Sequence, residues 1–235
     1  EAGLQYIYLQ MDGVDDEVFK QIRGRALLKT KLQVIESARK AGLRIIFVPT
    51  VIKGVNDHQI GPLIKLAFEN LDVLTGIAIQ PVVFTGRFAE EERLSKRFTL
   101  ADMIHEVGKQ TGITKAYEDW FPLSAITPFV KLGSAMSGHA LTNHTCHHHC
   151  VMGTILFVDK NKNATPGTQF LNLHGLLNEI DGLAKTTKKR WFKYFSGVKA
   201  LGLIKKYFNA QKAPAGLTFH KFLKTLDGYS DKKYS

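Results

Sequence analysis

Two cysteines frame three histidines in "TCHHHC", residues 145–150, and the chain of 235 residues has no other cysteine. Cys146 and Cys150 are candidate metal ligands, because zinc ions and iron–sulfur clusters are bound by thiolates, with imidazole as a substitute. Such sites need four ligands, so the pair supplies half of one. Histidines such as His147 are further candidates, although adjacent side chains rarely all point inward. Half of an iron–sulfur site, a zinc site and an inert cysteine pair are therefore all open.

Polar positions also occur at the ends of three predicted strands. The strands are predicted at residues 4–13, 44–52 and 76–84, and the positions at their ends include Gln10, Thr50, Gln80 and Pro81. In a parallel sheet the carboxyl ends of the strands lie at one edge, where ligands bind. A single position of this kind is explained by a turn that ends its strand, whereas the set predicts a site.

These strands alternate with helices over the first 87 residues. Helical spacing of apolar residues predicts a helix from about residue 28 that ends at Gly42. A second helix is predicted to begin at Asn56 or Asp57, either of which can act as its N-cap. Strands that alternate with helices form parallel sheets joined by right-handed crossovers, so the predicted fold class is α/β.

Beyond about residue 90 the alternation stops, and residues 91–235 are predicted as a second, α+β region. Its first helix has Thr99 as the N-cap and ends near Gly108 or Gly112. The remaining elements are predicted as an ordered loop at 119–141, a strand at 153–159, and helices at 171–185 and 190–208.

The net charge of +11 is concentrated in residues 185–212, which contain lysine and arginine but neither aspartate nor glutamate. Such a segment favours an anionic partner: phospholipid head groups, nucleic acid or an acidic protein region. Aromatic and aliphatic residues alternate with the charges, as in helices that lie on membrane surfaces. A solvated helix face packed on the rest of the protein explains the same pattern. Nucleic acid is the least favoured partner, because no known binding module is present.

The composition, with 44% hydrophobic and 23% charged residues, is that of a globular protein. No apolar run approaches the roughly 18 to 20 residues that a membrane-spanning helix needs. Two cysteines rule out a disulfide framework. The predicted location is the cytoplasm, with contact at the inner membrane surface as an option. Because a strand pattern begins at Leu4 without a methionine, the chain is expected to be a piece of a longer protein.

Several stretches resemble radical SAM enzymes, and together they cover nearly the whole chain. "LQMDGVDDEVFKQIRGRALLKTKLQVIESARKAGL", "KGVND" and "IQPVVFTGR" resemble the second half of the radical SAM barrel. "DWFPLSAITPFVKL" and "TCHHHCVMGTILFVD" more narrowly resemble the archaeal tetraether lipid synthase group. Close relatives of that group were once labelled pterin methyltransferases.

The resemblance implies the second half of a partial (β/α)6 barrel at 1–90 and an auxiliary-cluster region at 91–235. It implies cleavage of S-adenosyl-L-methionine at a [4Fe-4S] cluster to give a 5′-deoxyadenosyl radical. By position, Gln10 would contact S-adenosylmethionine, Arg23 or else Arg25 its carboxylate, and Thr50 with Gln80 and Pro81 its ribose and adenine. Cys146 and Cys150 would be half of an auxiliary iron–sulfur site, which is preferred over zinc.

The implied reaction is the coupling of isoprenoid tails of an archaeal phospholipid substrate, with ferredoxin or flavodoxin as the electron donor. One alternative is methyl or other one-carbon transfer to a pterin-like substrate. Another is a zinc-containing protein that binds nucleic acid. The sequence departs from the family pattern in one respect, because it lacks the C-x-x-x-C-x-x-C motif that binds the [4Fe-4S] cluster. The chain alone is therefore expected to be inactive.

Overall fold

The computed structural model describes residues 3–142, 147, 150–187 and 193–227. The chain divides into two compact units, Glu1–Ala116 and Tyr117–Ser235. The first unit therefore extends past the predicted boundary at residue 90. Within the described residues, no helix has the length and apolar composition needed to cross a membrane.

The first unit is built around short parallel strands and the helices between them. Its elements are β1 Tyr6–Leu9, α1 Asp16–Arg23, α2 Leu28–Ala41, β2 Arg44–Phe47, β3 Thr50–Val51, a 3₁₀ turn Asp57–Gln59, α3 Ile60–Glu69, β4 Leu74–Ile77, β5 Gln80–Pro81, α4 Glu90–Lys96 and α5 Leu100–Thr111. Strands β1, β2 and β4 form a parallel sheet in that order, and β3 pairs with β5, also in parallel. The predicted α/β class is confirmed.

The sheet buries one face and leaves the other open. Apolar side chains from the strands, such as Ile45 and Phe47, form a core with Phe19 of α1 and Ile35 of α2. Because successive side chains of a strand point to opposite faces, residues between the buried ones point away from the helices. On that opposite face, the Tyr8 side chain is 70% exposed.

The predicted elements of this unit are present, with several differences. The strands predicted at 44–52 and 76–84 are each divided, into β2 and β3 and into β4 and β5, and helix α4 was not predicted. Helix α2 ends as predicted at Gly42, whose φ of +66° suits glycine. Asn56 does not cap the following turn, because its side chain makes no hydrogen bond to the first turn. Helix α1 was not predicted, although Asp15 caps it by accepting from the Val18 N–H and Gly24 ends it with a φ of +74°.

Helix α5 belongs to the first unit because one of its side chains binds the start of α3. The Gln110 amide donates to the Asp57 carbonyl at 2.8 Å and accepts from the Gly61 N–H at 2.8 Å. A Cβ atom at Gly61 would lie 3.0 Å from the Gln110 Cβ, so the two helices approach closely here. The predicted boundary at residue 90 placed α5 in the second region, because side-chain contacts between helices produce no periodic pattern in the sequence.

The second unit is formed by three packed helices and short antiparallel strands. Its elements are β6 Phe121–Pro122, a 3₁₀ turn Leu123–Ile126, α6 Thr127–Ser137, β7 Met152–Gly153, β8 Leu156–Val158, β9 Ala164–Pro166, a 3₁₀ turn Gly167–Gln169, α7 Leu173–Thr186, α8 Lys193–Tyr207 and α9 Phe219–Asp227. Strand β6 pairs with β7 and β8 with β9. The predicted strand at 153–159 is thus divided between two pairs.

The predicted loop at 119–141 is wrong, because α6 lies within it. Proline in the first turn and Gly138 at the end, with a φ of +82°, were the available signals for this helix. Leu132 of α6 packs with Leu176 and Ile180 of α7 in the core of the unit. The apolar face of α6 is buried there, which explains why this aromatic-rich and proline-rich segment is helical.

Helix α8 has apolar residues on two sides. Ala200, Leu203, Ile204 and Tyr207 pack on the core of the second unit. On the other side Phe195 is 66%, Val198 70% and Leu201 48% exposed. These three residues are called the α8 outer strip below. The predicted helix is confirmed over α8; residues 188–192 of the predicted basic segment lie outside the described part.

The capping box at Thr99 is the clearest local signal that the structure confirms. The Asp102 N–H donates to Thr99 Oγ1 at 3.2 Å, and the Thr99 N–H donates to Asp102 Oδ2 at 2.9 Å. The hydrogen bond from the Thr99 hydroxyl to the carboxylate lowers the pKa of Asp102. The Asp102 carboxylate is therefore ionised at neutral pH, where it satisfies the N-terminus of α5.

Replacing Thr99 by alanine removes this cap. We expect Thr99→Ala to lower the free energy of unfolding by about 1 kcal/mol, measured by urea denaturation. Thr30→Ala is the matched control, because Thr30 is an exposed residue inside α2 and alanine favours helix there. An equal loss in both variants would contradict the capping role.

Candidate cofactor site

The structure brings the predicted strand-end residues together at one edge of the sheet. Gln10 follows β1, and its Nε2 lies 3.5 Å from Thr50 Oγ1 on β3. In the β3–β5 pair, Thr50 lies opposite Gln80, and Val51 lies opposite Pro81. Gln10, Thr50, Gln80 and Pro81 are together called the rim.

The rim is accessible and can donate and accept hydrogen bonds. Gln10 and Gln80 are exposed, and Thr50 and Pro81 are half-buried. Two amides and one hydroxyl therefore face solvent next to an apolar proline ring. Such a surface suits a ligand with a polar end, hydroxyl groups and a flat ring.

Beneath the rim lies a buried carboxylate that the sequence prediction did not single out. The Asp12 side chain is 1% exposed. Its Oδ1 accepts from the Thr50 N–H at 2.9 Å, and Arg23 forms a bidentate pair with it, at 2.8 Å from Nε and 3.1 Å from Nη2. A charge so deeply buried is stable only when it is paired in this way.

Arg23 was predicted to bind the carboxylate of S-adenosylmethionine, and the structure places it next to the rim. Its side chain, 31% exposed, uses the Nε and Nη2 edge for Asp12, while Nη1 takes no part in that pair. Arg25, the second candidate, is exposed and lies beyond the end of α1. The predicted contacts of the rim and of Arg23 with the cofactor stay predictions.

A second buried polar side chain joins the same strand ends. Asn56 has no exposed surface. Its Nδ2 donates to the carbonyls of Asp12 and Thr50, each at 2.8 Å, and its Oδ1 accepts from the Ile52 N–H at 2.8 Å. These three hydrogen bonds are called the Asn56 bridge. The motif "KGVND" contained this residue, but its spacing suggested only a helix cap.

The predicted metal site is described only in part. Cys150 is exposed, and its N–H donates to the His147 carbonyl at 2.8 Å. Cys146 lies outside the described residues. Among the residues that are described, no group of three or more histidine, cysteine, aspartate or glutamate side chains is placed to hold a metal ion. These residues do not fit an iron–sulfur cluster by themselves, and the half-site stays a prediction.

The chain is similar to enzymes of two kinds. It is 34% identical over 240 residues to the 7,8-dihydro-6-hydroxymethylpterin dimethyltransferase of Methanocaldococcus jannaschii, a match that covers 100% of this chain and 47% of that protein. The GTP 3′,8-cyclase of Paracoccus denitrificans is 28% identical over 118 residues, 50% of this chain and 33% of the cyclase. The GTP 3′,8-cyclase of Erythrobacter litoralis is 31% identical over 137 residues, which cover 54% of this chain and 41% of that cyclase. No protein-family model matches the chain.

These relatives define a class of enzyme. The chain spans about half the length of the pterin dimethyltransferase and less than half the length of each cyclase. All are radical SAM enzymes, which use [4Fe-4S] clusters and S-adenosylmethionine. The similarity supports the radical SAM superfamily for this chain, and the relatives are enzymes that use the cofactors predicted from the sequence. The rim fits S-adenosylmethionine, because its amides and hydroxyl match a ligand with charged and hydroxyl groups.

Removing the buried carboxylate tests the described geometry. We expect Asp12→Ala to lower the free energy of unfolding by about 3 kcal/mol in urea denaturation, because it leaves Arg23 and the Thr50 N–H without their partner. Glu17→Ala is the control, because Glu17 pairs with Lys20 in solvent and its loss should leave stability unchanged. Equal stability of the protein and Asp12→Ala would contradict the network.

Proposed function

We propose that this chain contributes the S-adenosylmethionine site of a radical SAM enzyme and that the rim binds the cofactor. The observation that carries the proposal is the convergence of Gln10, Thr50 and Gln80 at the carboxyl ends of three neighbouring strand segments. S-Adenosylmethionine, when cleaved reductively, supplies a carbon radical that abstracts hydrogen from a substrate. The chain's own residues would bind and orient the cofactor.

We assign the polar ends of the cofactor to different parts of the rim. Gln10 and the Nη1 group of Arg23 donate to the methionine portion, where a guanidinium suits a carboxylate. Thr50 and Gln80 would hydrogen-bond the ribose and adenine, and the Pro81 ring would offer the adenine an apolar contact. Because Asp12 fixes Arg23, the guanidinium is held in place before the cofactor binds.

We further propose that the sheet is part of a (β/α)6 barrel. Parallel sheets are normally covered on both faces, and in the described part of the first unit helices pack on one face of this sheet. The other face exposes Tyr6 by 40% and Tyr8 by 70%. In a barrel this face would line the interior, next to the rim.

For the substrate, the proposed reaction is one-carbon transfer to a pterin-like compound. This proposal is supported by the pterin dimethyltransferase, whose match covers the whole of this chain. The second candidate is the coupling of isoprenoid lipid tails. The α8 outer strip favours it, because an apolar surface bordered by Lys199 and Lys205 suits an anionic lipid surface.

Binding of S-adenosylmethionine tests the rim. In the full-length protein we expect Gln10→Ala to raise the Kd for S-adenosylmethionine about fivefold, the effect of one lost hydrogen bond. Calorimetric titration under anaerobic conditions measures it. Gln33→Ala is the matched control, because Gln33 is exposed on α2, away from the rim. Unchanged affinity in Gln10→Ala, Thr50→Ala and Gln80→Ala would sink the proposal.

The two substrates are distinguished by their products. The full-length, reduced protein is incubated with S-adenosylmethionine and either a dihydropterin or an archaeal lipid extract, and the products are identified by mass spectrometry. One-carbon transfer predicts a pterin heavier by one or two methyl groups. Coupling predicts a lipid that has lost two hydrogen atoms per new carbon–carbon bond. Detection of the lipid product without any pterin product would overturn the first candidate.

The α8 outer strip allows a separate test of membrane contact. We expect the full-length protein to float with phosphatidylglycerol vesicles more than with phosphatidylcholine vesicles, and Phe195→Ser to weaken this binding about tenfold. Val83→Ser is the control, because Val83 is 78% exposed in the other unit. Equal binding to both vesicles, or equal loss in both variants, would contradict a specific contact.

A further inference from the structure

The Asn56 bridge begins where the regular sheet ends. The last main-chain hydrogen bond between the first two strands runs from the Val48 N–H to the Leu9 carbonyl, at 2.9 Å. Beyond it, the bonds that join these strand ends come from side chains: Asn56 donates to both Asp12 and Thr50. The separation of the two strand ends is therefore set by two buried side chains, the Asn56 amide and the Asp12 carboxylate, which accepts from the Thr50 N–H.

Neighbouring side chains contact the N–H, the carbonyl and the hydroxyl of Thr50. Its N–H donates to the Asp12 carboxylate, its carbonyl accepts from Asn56, and its hydroxyl lies 3.5 Å from the Gln10 amide. Because Asp12 fixes the N–H of Thr50 and Asn56 fixes its carbonyl, the position of the Thr50 hydroxyl relative to Gln10 and Gln80 depends on both residues. The rim thus has a rigid base although its own side chains are accessible.

We propose that Asn56 is a positioning residue for the ligand at the rim, which it does not itself contact. The inference rests on the proposed cofactor site and adds a buried residue that acts through Thr50 and Asp12. The hydrogen bonds of this position require asparagine, because the amide nitrogen donates to two carbonyls and the amide oxygen accepts from the Ile52 N–H. Aspartate has the same shape, but it would direct a negative oxygen at two carbonyl oxygens.

The first experiment compares Asn56→Ala with Asn70→Ala in the full-length protein. Asn70 is the matched control: it is half-buried, donates to the Leu66 carbonyl at 2.9 Å and precedes β4, at the opposite edge of the sheet. Both variants should lose stability. Only Asn56→Ala should raise the Kd for S-adenosylmethionine, by about tenfold or more, because small displacements of positioning groups have effects of that size.

A second measurement needs no variant, so it remains informative if Asn56→Ala does not fold. The Ile52 N–H reports the Asn56 bridge directly, and its hydrogen exchange should slow when S-adenosylmethionine is added. The Gly61 N–H is the matched control, because it also donates to a side-chain amide oxygen, that of Gln110. Its exchange should not change.

The outcomes separate this inference from the proposed function. If Gln10→Ala weakens binding while Asn56→Ala binds normally, or if Ile52 exchange is unchanged by the cofactor, the positioning role is overturned and the rim stands. If none of the rim variants affects binding, the proposed site itself is overturned. Equal losses of affinity in Asn56→Ala and Asn70→Ala would reduce Asn56 to a general contributor to stability.

Discussion

The Asp12 carboxylate is the group on which the arrangement of the first unit depends. It is a buried charge, and the cost of removing it from water is offset only by its pair with Arg23 and its hydrogen bond from the Thr50 N–H. These partners come from a helix and from a neighbouring strand. One ionised group therefore fixes the end of α1 and the start of β3 relative to the end of β1.

The local structure explains why an accessible polar site can exist next to a tightly packed core. Three parallel strands pack on helices through Ile45, Phe47 and their neighbours. The main-chain hydrogen bonds between β1 and β2 stop at Val48, and beyond that point Asp12 and Asn56 supply the hydrogen bonds that join these two strand ends. The outermost side chains, Gln10 and Gln80, are exposed and so can contact a ligand.

Sequence patterns predicted the helices and strands of the first unit better than the side-chain hydrogen bonds between them. Apolar spacing and a terminal glycine sufficed for α2, and the capping box sufficed for α5, because both signals are local. The strand ends were also predicted, since carboxyl ends of parallel strands share an edge. Asn56, one of two residues predicted as a cap, instead binds Thr50 and the distant Asp12, and no local pattern reveals these partners. The second unit was harder, since α6 is stabilised by packing on α7, which its own composition does not reveal.

The metal-binding prediction differs in kind from the prediction of the rim. The rim follows from topology, which the described strands establish, whereas Cys146 lies outside the described residues and Cys150 alone cannot define a site. The relatives nevertheless support an enzyme class that depends on iron–sulfur clusters. The contribution that we propose for the described residues is the binding and orientation of S-adenosylmethionine.

The most direct test is a structure of the full-length protein with S-adenosylmethionine bound. We expect the cofactor to lie against Gln10, Thr50 and Gln80, with its carboxylate within hydrogen-bonding distance of Arg23 and with the Arg23–Asp12 pair intact. A cofactor bound away from the carboxyl ends of these strands would contradict this expectation.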